Sequence, residues 1–203
     1  MERSTGGELG IVGYLAAQPL GVLDAMMSRG LNSPLSSSCG RLFDAVAGAL
    51  GICREGIAYE GQAAIELEAL ARPFLGECGP GYRFDLEDGE AGLILDPAPL
   101  WLALLEDLAA DAAVGVMAAR FQVGLADALV TAVRSLAERH GVATCALSGG
   151  VFQNRTLYEA INSGLSDAGL RVLTHRQVPA NDGGISLGQA TVAAARWLAG
   201  DRG

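Results

Sequence analysis

Two glycine pairs near the C-terminal end constrain this chain more than any other feature. Gly149-Gly150 stands between an apolar run, Val142 to Leu147, and a helix-like run from Asn154 to Ala168. Gly183-Gly184 follows a second short apolar run, Leu170 to Leu173, and precedes a helix-like run from Ile185 to Leu198. Ahead of both lies a long helical stretch, Asp111 to His140, with Val114, Met117, Phe121, Leu125, Ala128, Leu129, Ala132, Val133 and Leu136 on its apolar stripe. At 1.5 Å per residue it spans roughly 40–45 Å, and Gly141 caps it. Helix, strand, helix, strand, helix in that order predicts an α/β arrangement with parallel strands. The continuous apolarity of Val142–Leu147 predicts a strand covered on both faces. Glycine has no Cβ and tolerates positive φ, so both turns let the backbone come close to a ligand.

The remainder reads as follows. Residues 1–40 are irregular apart from a helical stretch near Gly21–Arg29, and Asn32 to Gly40 is a loop rich in turn formers. Arg41 to Leu50 is helical, with Leu42, Phe43, Val46, Ala49 and Leu50 on one face and Gly51 as its stop. A second helix, Ala63 to Ala71, ends before Pro73. Tyr82–Leu86 and Gly92–Leu95 flank the acidic turn Glu87–Glu90 as a β-hairpin, and Asp96-Pro97 starts a short helix. The expected organisation is thus a lead-in (1–40), a helical region with a hairpin (41–140) and an α/β end (141–203).

Charge and side-chain inventory exclude several functions. The net charge is −9, so a basic face for nucleic acid is not expected. All 14 basic residues are arginine. The absence of lysine rules out a Walker A loop and Schiff-base chemistry within these residues. Cys39, Cys53, Cys78 and Cys145 are too far apart for a Cys-x-x-Cys clip and read as free thiols of a reducing compartment. Residues Met1–Thr5 carry no positive signal-peptide segment, and the apolar stretch Leu9–Leu23 is broken at Gln18-Pro19 and is shorter than the ~18–20 residues of a bilayer span. A cytoplasmic protein without membrane contact is expected.

Each candidate site residue has a functional and a purely structural reading. Ser148-Gly149-Gly150 sits where ligands of open α/β sheets bind, beyond the carboxyl end of a strand, but an ordinary strand-to-helix turn has the same spacing. Asn154 can cap the next helix or contact a ligand. Asp182 can cap the last helix or ligate a cation that bridges phosphates, and the pair Gly183-Gly184 would leave N–H groups open toward an anion. Gly40 and Asp44 lie four apart at a loop-to-helix junction, where a nucleotide could rest on Gly40 and give a ribose hydroxyl to Asp44. Arg41 either holds an anion or pairs with Asp44. His140 reads as a helix-end residue, and His175 as a site-lining or surface loop residue.

Taken together, four segments resemble one family. Ser36–Val46, Tyr59–Ala64, Leu147–Asn154 and His175–Gly184 strongly resemble the C-terminal part of HypF-type carbamoyltransferases, which mature nickel–iron hydrogenases. The resemblance covers about residues 10 to 199 and extends to the tRNA threonylcarbamoyl-transfer domain. It implies the C-terminal lobe of an actin-like, sugar-kinase-like ATPase fold (ribonuclease-H-like), with a helical insertion and a small hairpin.

The chemistry it implies starts from carbamoyl phosphate and ATP, which other domains convert to carbamoyl adenylate. The actin-like domain then passes the carbamoyl group to a C-terminal cysteine of the partner protein HypE. Such a mixed anhydride must be kept from water and near the incoming thiolate. By the same resemblance Gly40 and Asn154 contact the nucleotide, Ser148, Gly149 and Gly150 form the adenosine turn with Gly183 opposite, and Asp182 is a ligand of a divalent metal ion (Mg, Fe or Zn). Arg41 and Asp44 follow as nucleotide contacts. The family's first-lobe phosphate loop, its metal-binding His pair and its zinc-finger, acylphosphatase-like and adenylating domains precede the segment matched here. The N-terminal domains of the same enzyme are therefore expected partners, and the chain alone is expected to bind nucleotide weakly and turn over nothing. Phe121-Gln122 stands where the family usually has Phe-His, a change within a packing stripe. Two other readings stay open: a tRNA threonylcarbamoyl transferase-like enzyme, which −9 disfavours, and a non-catalytic module that docks a partner protein.

Overall fold

The computed structural model describes residues 10–90 and 92–200. The elements are α1 (Gly10–Ala16), α2 (Leu20–Arg29), α3 (Cys39–Ala49), α4 (Gln62–Ala71), β1 (Asp85–Gly89), β2 (Gly92–Asp96), α5 (Ala98–Ala109), α6 (Val114–His140), β3 (Thr144–Leu147), α7 (Arg155–Asp167), β4 (Arg171–Thr174) and α8 (Ile185–Ala199). Expectations for Met1–Thr5 and Leu9 fall outside the described residues.

α6 is the axis. It packs on α4 and α7, and also touches α5 and both hairpin strands. Small residues make this possible on several faces at once. A Cβ on Gly124 would lie 2.0 Å from the Tyr82 carbonyl oxygen, one on Gly115 2.3 Å from the Phe74 ring, and one on Gly164 of α7 2.9 Å from Val130. The burial of α6 is therefore wider than the predicted stripe. Met117, Phe121 and Leu125 are buried as expected, but so are Gly115, Ala118, Ala119, Gln122, Gly124 and Ala126. Val114 and Leu136, assigned to the stripe, are exposed. The helix starts at Val114 because Asp111 adopts φ +55° and Ala113 is extended. It stops at Gly141 in the left-handed conformation, with Arg139 and His140 placed favourably against the dipole of its last turn.

The core fills the angle between α3, α4, α6 and α7. Phe43 of α3 meets Phe121 edge-on at 4.9 Å, and Leu67, Leu157, Ile161 and Leu165 are fully buried around them. Tyr82, Asp107 and Arg120 brace the side of this core. The Tyr82 hydroxyl donates to Asp107 at 2.6 Å, and Arg120 donates to both Asp107 oxygens and, through Nε, to the Cys78 carbonyl. Burial, then the adjoining Asp107 carboxylate, pushes the Tyr82 phenol far above its ordinary value.

Several expectations are corrected. Residues 10–16 form a helix, tied down by Arg54, whose guanidinium lies 5.2 Å over the Tyr14 ring while Tyr14 donates to the Arg54 carbonyl. α3 begins at Cys39 rather than Arg41, since Ser38 Oγ accepts from the Arg41 N–H. The hairpin pairs Asp85–Gly89 with Gly92–Asp96, so Glu87, Asp88 and Gly89 belong to a strand instead of a turn. Tyr82 and Phe84 are drawn off into the core, where the Tyr82 N–H donates to the Arg120 carbonyl. Asp88 is paired with Arg139 of α6, which holds its carboxyl below the usual carboxylate range. α5 runs twelve residues, longer than the short helix expected.

β3 and β4 pair in parallel, Thr144 opposite Arg171 and Leu147 opposite Thr174. The expected cover on both faces is not found. Thr144 and Ala146, and likewise Arg171 and Leu173, are exposed on one face, while Cys145, Leu147 and Val172 face the core. α8 carries no buried residue, although Ile185, Leu187, Val192 and Leu198 are apolar.

Candidate nucleotide site

Strand β3 delivers Ser148, Gly149 and Gly150 to the carboxyl end of the sheet, and β4 delivers the loop His175–Gly184 to the same end. The parallel register forces this, because both strands leave the sheet in one direction. The two glycine turns then meet. Gly149 N–H donates to the Ala180 carbonyl at 2.8 Å, and a Cβ on Gly150 would sit 3.8 Å from the Asn181 Cβ. His175 Nε2 and Ser148 Oγ are hydrogen-bonded at 3.0 Å, a second tie between the loops. Gly149 adopts φ 112°, ψ 155°, which L side chains rarely adopt, and the space its Cβ would occupy is open. Ser148 and Gly150 are exposed.

Asn154 caps α7. Its Oδ1 accepts from the Leu157 N–H at 2.8 Å, while its Nδ2 is buried with no partner. One residue is therefore half satisfied: the oxygen serves the fold and the amide nitrogen is unspent. The first turn of α7 is fixed from the other side by Glu68 of α4, which accepts from Thr156 N and Oγ1 at 2.9 and 3.0 Å.

The second turn is closed more tightly than its sequence implies. Asn181 Oδ1 accepts from Gly183 N–H at 3.1 Å, and the Asn181 carbonyl accepts from Gly184 N–H at 3.0 Å. The expectation that Gly183-Gly184 leaves its N–H groups open to an anion is thus corrected, because an Asx turn takes the Gly183 N–H and a main-chain 3-10 bond takes that of Gly184. The same turn corrects the capping alternative for Asp182. Asn181 caps the 3-10 turn Asp182–Gly184, α8 starts after Gly184 with no side-chain cap, and the Asp182 side chain is exposed.

Gly40, Arg41 and Asp44 occupy the first turns of α3, all exposed, and α3 packs on the 3-10 turn Gly150–Gln153. Arg41 pairs with Asp44 at 3.8 Å, as one of its two expected roles required. Among the described residues no hydrogen bond or ion pair joins these three to either glycine turn. Burial pushes the thiol of Cys39, beside them, up to about 11, which disfavours its thiolate.

Neither sequence periodicity nor spacing revealed Gln122 as a polar group of interest. It is 1% exposed, and both of its amide atoms lack partners. As to a metal, no group of three or more His, Cys, Asp or Glu side chains that could hold an ion exists among the described residues. Asp182 supplies one carboxylate, which by itself does not make a cation site.

A parallel strand pair with two glycine turns at its carboxyl end, backed by a helical layer, defines the C-terminal lobe of an actin-like α/β fold. Residues 9–189 match the family model described as "Carbamoyltransferase, Kae1-like Domain, second subdomain". The chain is 42% identical over 180 residues to the carbamoyltransferase HypF of Rhodobacter capsulatus, covering 89% of this chain and 22% of that protein. A HypF homologue of Cupriavidus necator is 44% identical over 198 residues, covering 93% of this chain and 48% of that protein. The crystal structure of full-length HypF in a phosphate- and nucleotide-bound form superimposes with a TM-score of 0.81 at 33% identity, over 90% of this chain and 24% of that one. The chain belongs to the HypF carbamoyltransferase family and corresponds to the second subdomain of its Kae1-like domain. It spans between about a fifth and a half of the length of these relatives.

Proposed function

We propose that this chain is the nucleotide-binding half of a carbamoyl-transfer domain acting in nickel–iron hydrogenase maturation. The carbamoyl adenylate lies across the two glycine turns, its adenosine on Ser148, Gly149 and Gly150, with Gly183 on the facing turn. Asn154 gives its free Nδ2–H to the nucleotide. Gly40, Arg41 and Asp44 border the site from α3, with Asp44 on a ribose hydroxyl. Asp182 contributes one ligand to a divalent ion (Mg, Fe or Zn), the others coming from outside this chain. The acceptor is the C-terminal cysteine thiolate of HypE, and the setting is the cytoplasm. Alone, the chain binds nucleotide weakly and transfers nothing, because the opposing lobe that would bring in the metal ligands and exclude water is contributed by other residues of the enzyme.

One observation supports this best: a buried amide nitrogen without a partner, on Asn154, stands at the start of α7 just after the glycine turn. Buried donors are almost always paired, so a ligand atom is its natural partner. The test is Asn154→Asp. The substitution keeps the oxygen that caps α7, so thermal stability should stay within about 1 kcal/mol of wild type. The donor is lost and a charge repels phosphate, so thermal protection by AMP or by ATP–Mg should disappear. Undiminished protection in Asn154→Asp would refute the assignment, and no protection of the wild type would favour a purely docking module.

A further inference from the structure

The first turn of α7 has two caps, and the second comes from another helix. Asn154 Oδ1 accepts from the Leu157 N–H at 2.8 Å. Glu68 of α4, 88 residues before Thr156, takes the N–H that precedes it. One carboxylate oxygen accepts both from Thr156 N at 2.9 Å and from Thr156 Oγ1 at 3.0 Å. Leu67 and Ala71, neighbours of Glu68 on α4, are fully buried, so the core fixes where this carboxylate enters. Arg155, between Asn154 and Thr156, is paired with Glu159 instead, at 2.6 Å.

An N-cap side chain has two N–H groups to choose from, those of the second and third helical residues. Here they belong to Thr156 and Leu157. An asparagine free to choose would alternate between them, and its Nδ2 would swing with each change. Glu68 removes the choice. It occupies the Thr156 N–H with a charge-assisted bond at the positive end of the helix, where a carboxylate is favoured. Only the Leu157 N–H is left for Oδ1. The amide is planar, so fixing its oxygen also fixes Nδ2, which is buried and without a partner. The main chain of Asn154 is held as well, its N–H donating to the Val151 carbonyl at 3.0 Å. We propose that Glu68 is a positioning residue for the nucleotide: by taking the Thr156 N–H it locks Asn154 into a single cap bond and aims the amide nitrogen at the ligand. This rests on the nucleotide reading above, and Glu68 acts through Asn154 rather than by touching the ligand.

The test measures AMP binding to the full chain by calorimetry in wild type, Glu68→Ala, Glu68→Gln, Asn154→Ser and the double variant Glu68→Ala/Asn154→Ser, with a thermal melt of each. Serine keeps a capping oxygen and has no amide. Asn154→Ser should weaken AMP by about tenfold, the value of one hydrogen bond. Glu68→Ala should raise Kd by about three- to tenfold, since the amide is kept but no longer held. Glu68→Gln should restore binding to within about twofold of wild type, because both Thr156 bonds end on one oxygen that a carboxamide retains. In the Asn154→Ser background, removing Glu68 should cost no further affinity, because the group it aims is gone. A purely structural loosening of α7 would weaken AMP by the same factor in both backgrounds, and that result would overturn the proposal. So would an unchanged Kd in Glu68→Ala, a Glu68→Gln that binds no better than Glu68→Ala, or a Glu68→Ala that fails to fold. Wild type that binds no AMP, or binds it no better than Asn154→Ser does, would sink the nucleotide reading itself and this inference with it.

Discussion

Replacing Gly149 by alanine tests the backbone that joins the two turns. The residue sits at φ 112°, ψ 155°, and the new methyl would have nothing within 4 Å. Sterics with neighbours are therefore not the issue; the cost is intrinsic to an L-residue in that region, about 1–3 kcal/mol. If the backbone instead rotates to relieve the strain, the Gly149 N–H to Ala180 bond is lost, at about 1 kcal/mol. The two routes bracket a destabilisation of about 1–3 kcal/mol. At about 2–4 °C per kcal/mol for a chain of this size, the midpoint should fall by roughly 2–12 °C. Gly150→Ala is the control. Its Cβ meets Asn181 at an ordinary 3.8 Å without unfavourable φ, so stability should change by less than about 0.5 kcal/mol. The control should still lose AMP protection, because its methyl projects between the turns. Wild-type protection at a ligand excess of 100 times Kd would be about 2.7 kcal/mol, easily seen in a thermal scan. A Gly149→Ala protein that melts with wild type, or a Gly150→Ala protein that retains full protection, would refute the reasoning.

Gly124→Ala should cost about 1–3 kcal/mol. Its Cβ would fall 2.0 Å from the Tyr82 carbonyl oxygen and 2.6 Å from the Tyr82 nitrogen, main-chain atoms that cannot swing aside. Overpacking alone costs about 1–3 kcal/mol, with the Tyr82 to Arg120 main-chain bond also at risk; denaturant unfolding reads the sum against a gain of about 1 kcal/mol in helix propensity. Gly48→Ala in α3, with open space around its Cβ, should instead be neutral or slightly stabilising. In alkali, stability should fall between pH 9 and about 11, as the unfolded Cys39 thiol ionises and the folded one does not. The raised folded value means this contribution is complete below the unfolded pKa and gone above the folded one. Cys39→Ala should flatten that part of the pH–stability profile, and an unaltered profile would count against burial of the thiol.

Much of this architecture was legible in one dimension because it is set by short-range rules. The alternation of apolar runs with glycine turns specified β3, α7, β4 and α8 to within a few residues, since each boundary is a cap or a glycine that acts on its own neighbours. Asn154 as a helix cap followed from the same local chemistry. Other features needed the fold. Asn181, not Asp182, closes the second turn, because an Asx turn and a helix cap look alike until the backbone chooses. Tyr82 and Phe84 left the hairpin for the core because Gly124, forty residues on, lets α6 approach their main chain. The open face of β3 and β4 records what lies across from a strand, which no strand's own composition contains. Gln122 shows the same limit most plainly: its place in an apolar stripe was visible in the sequence, but that its amide would be sealed in without a partner depended on where α4 and α7 came to rest.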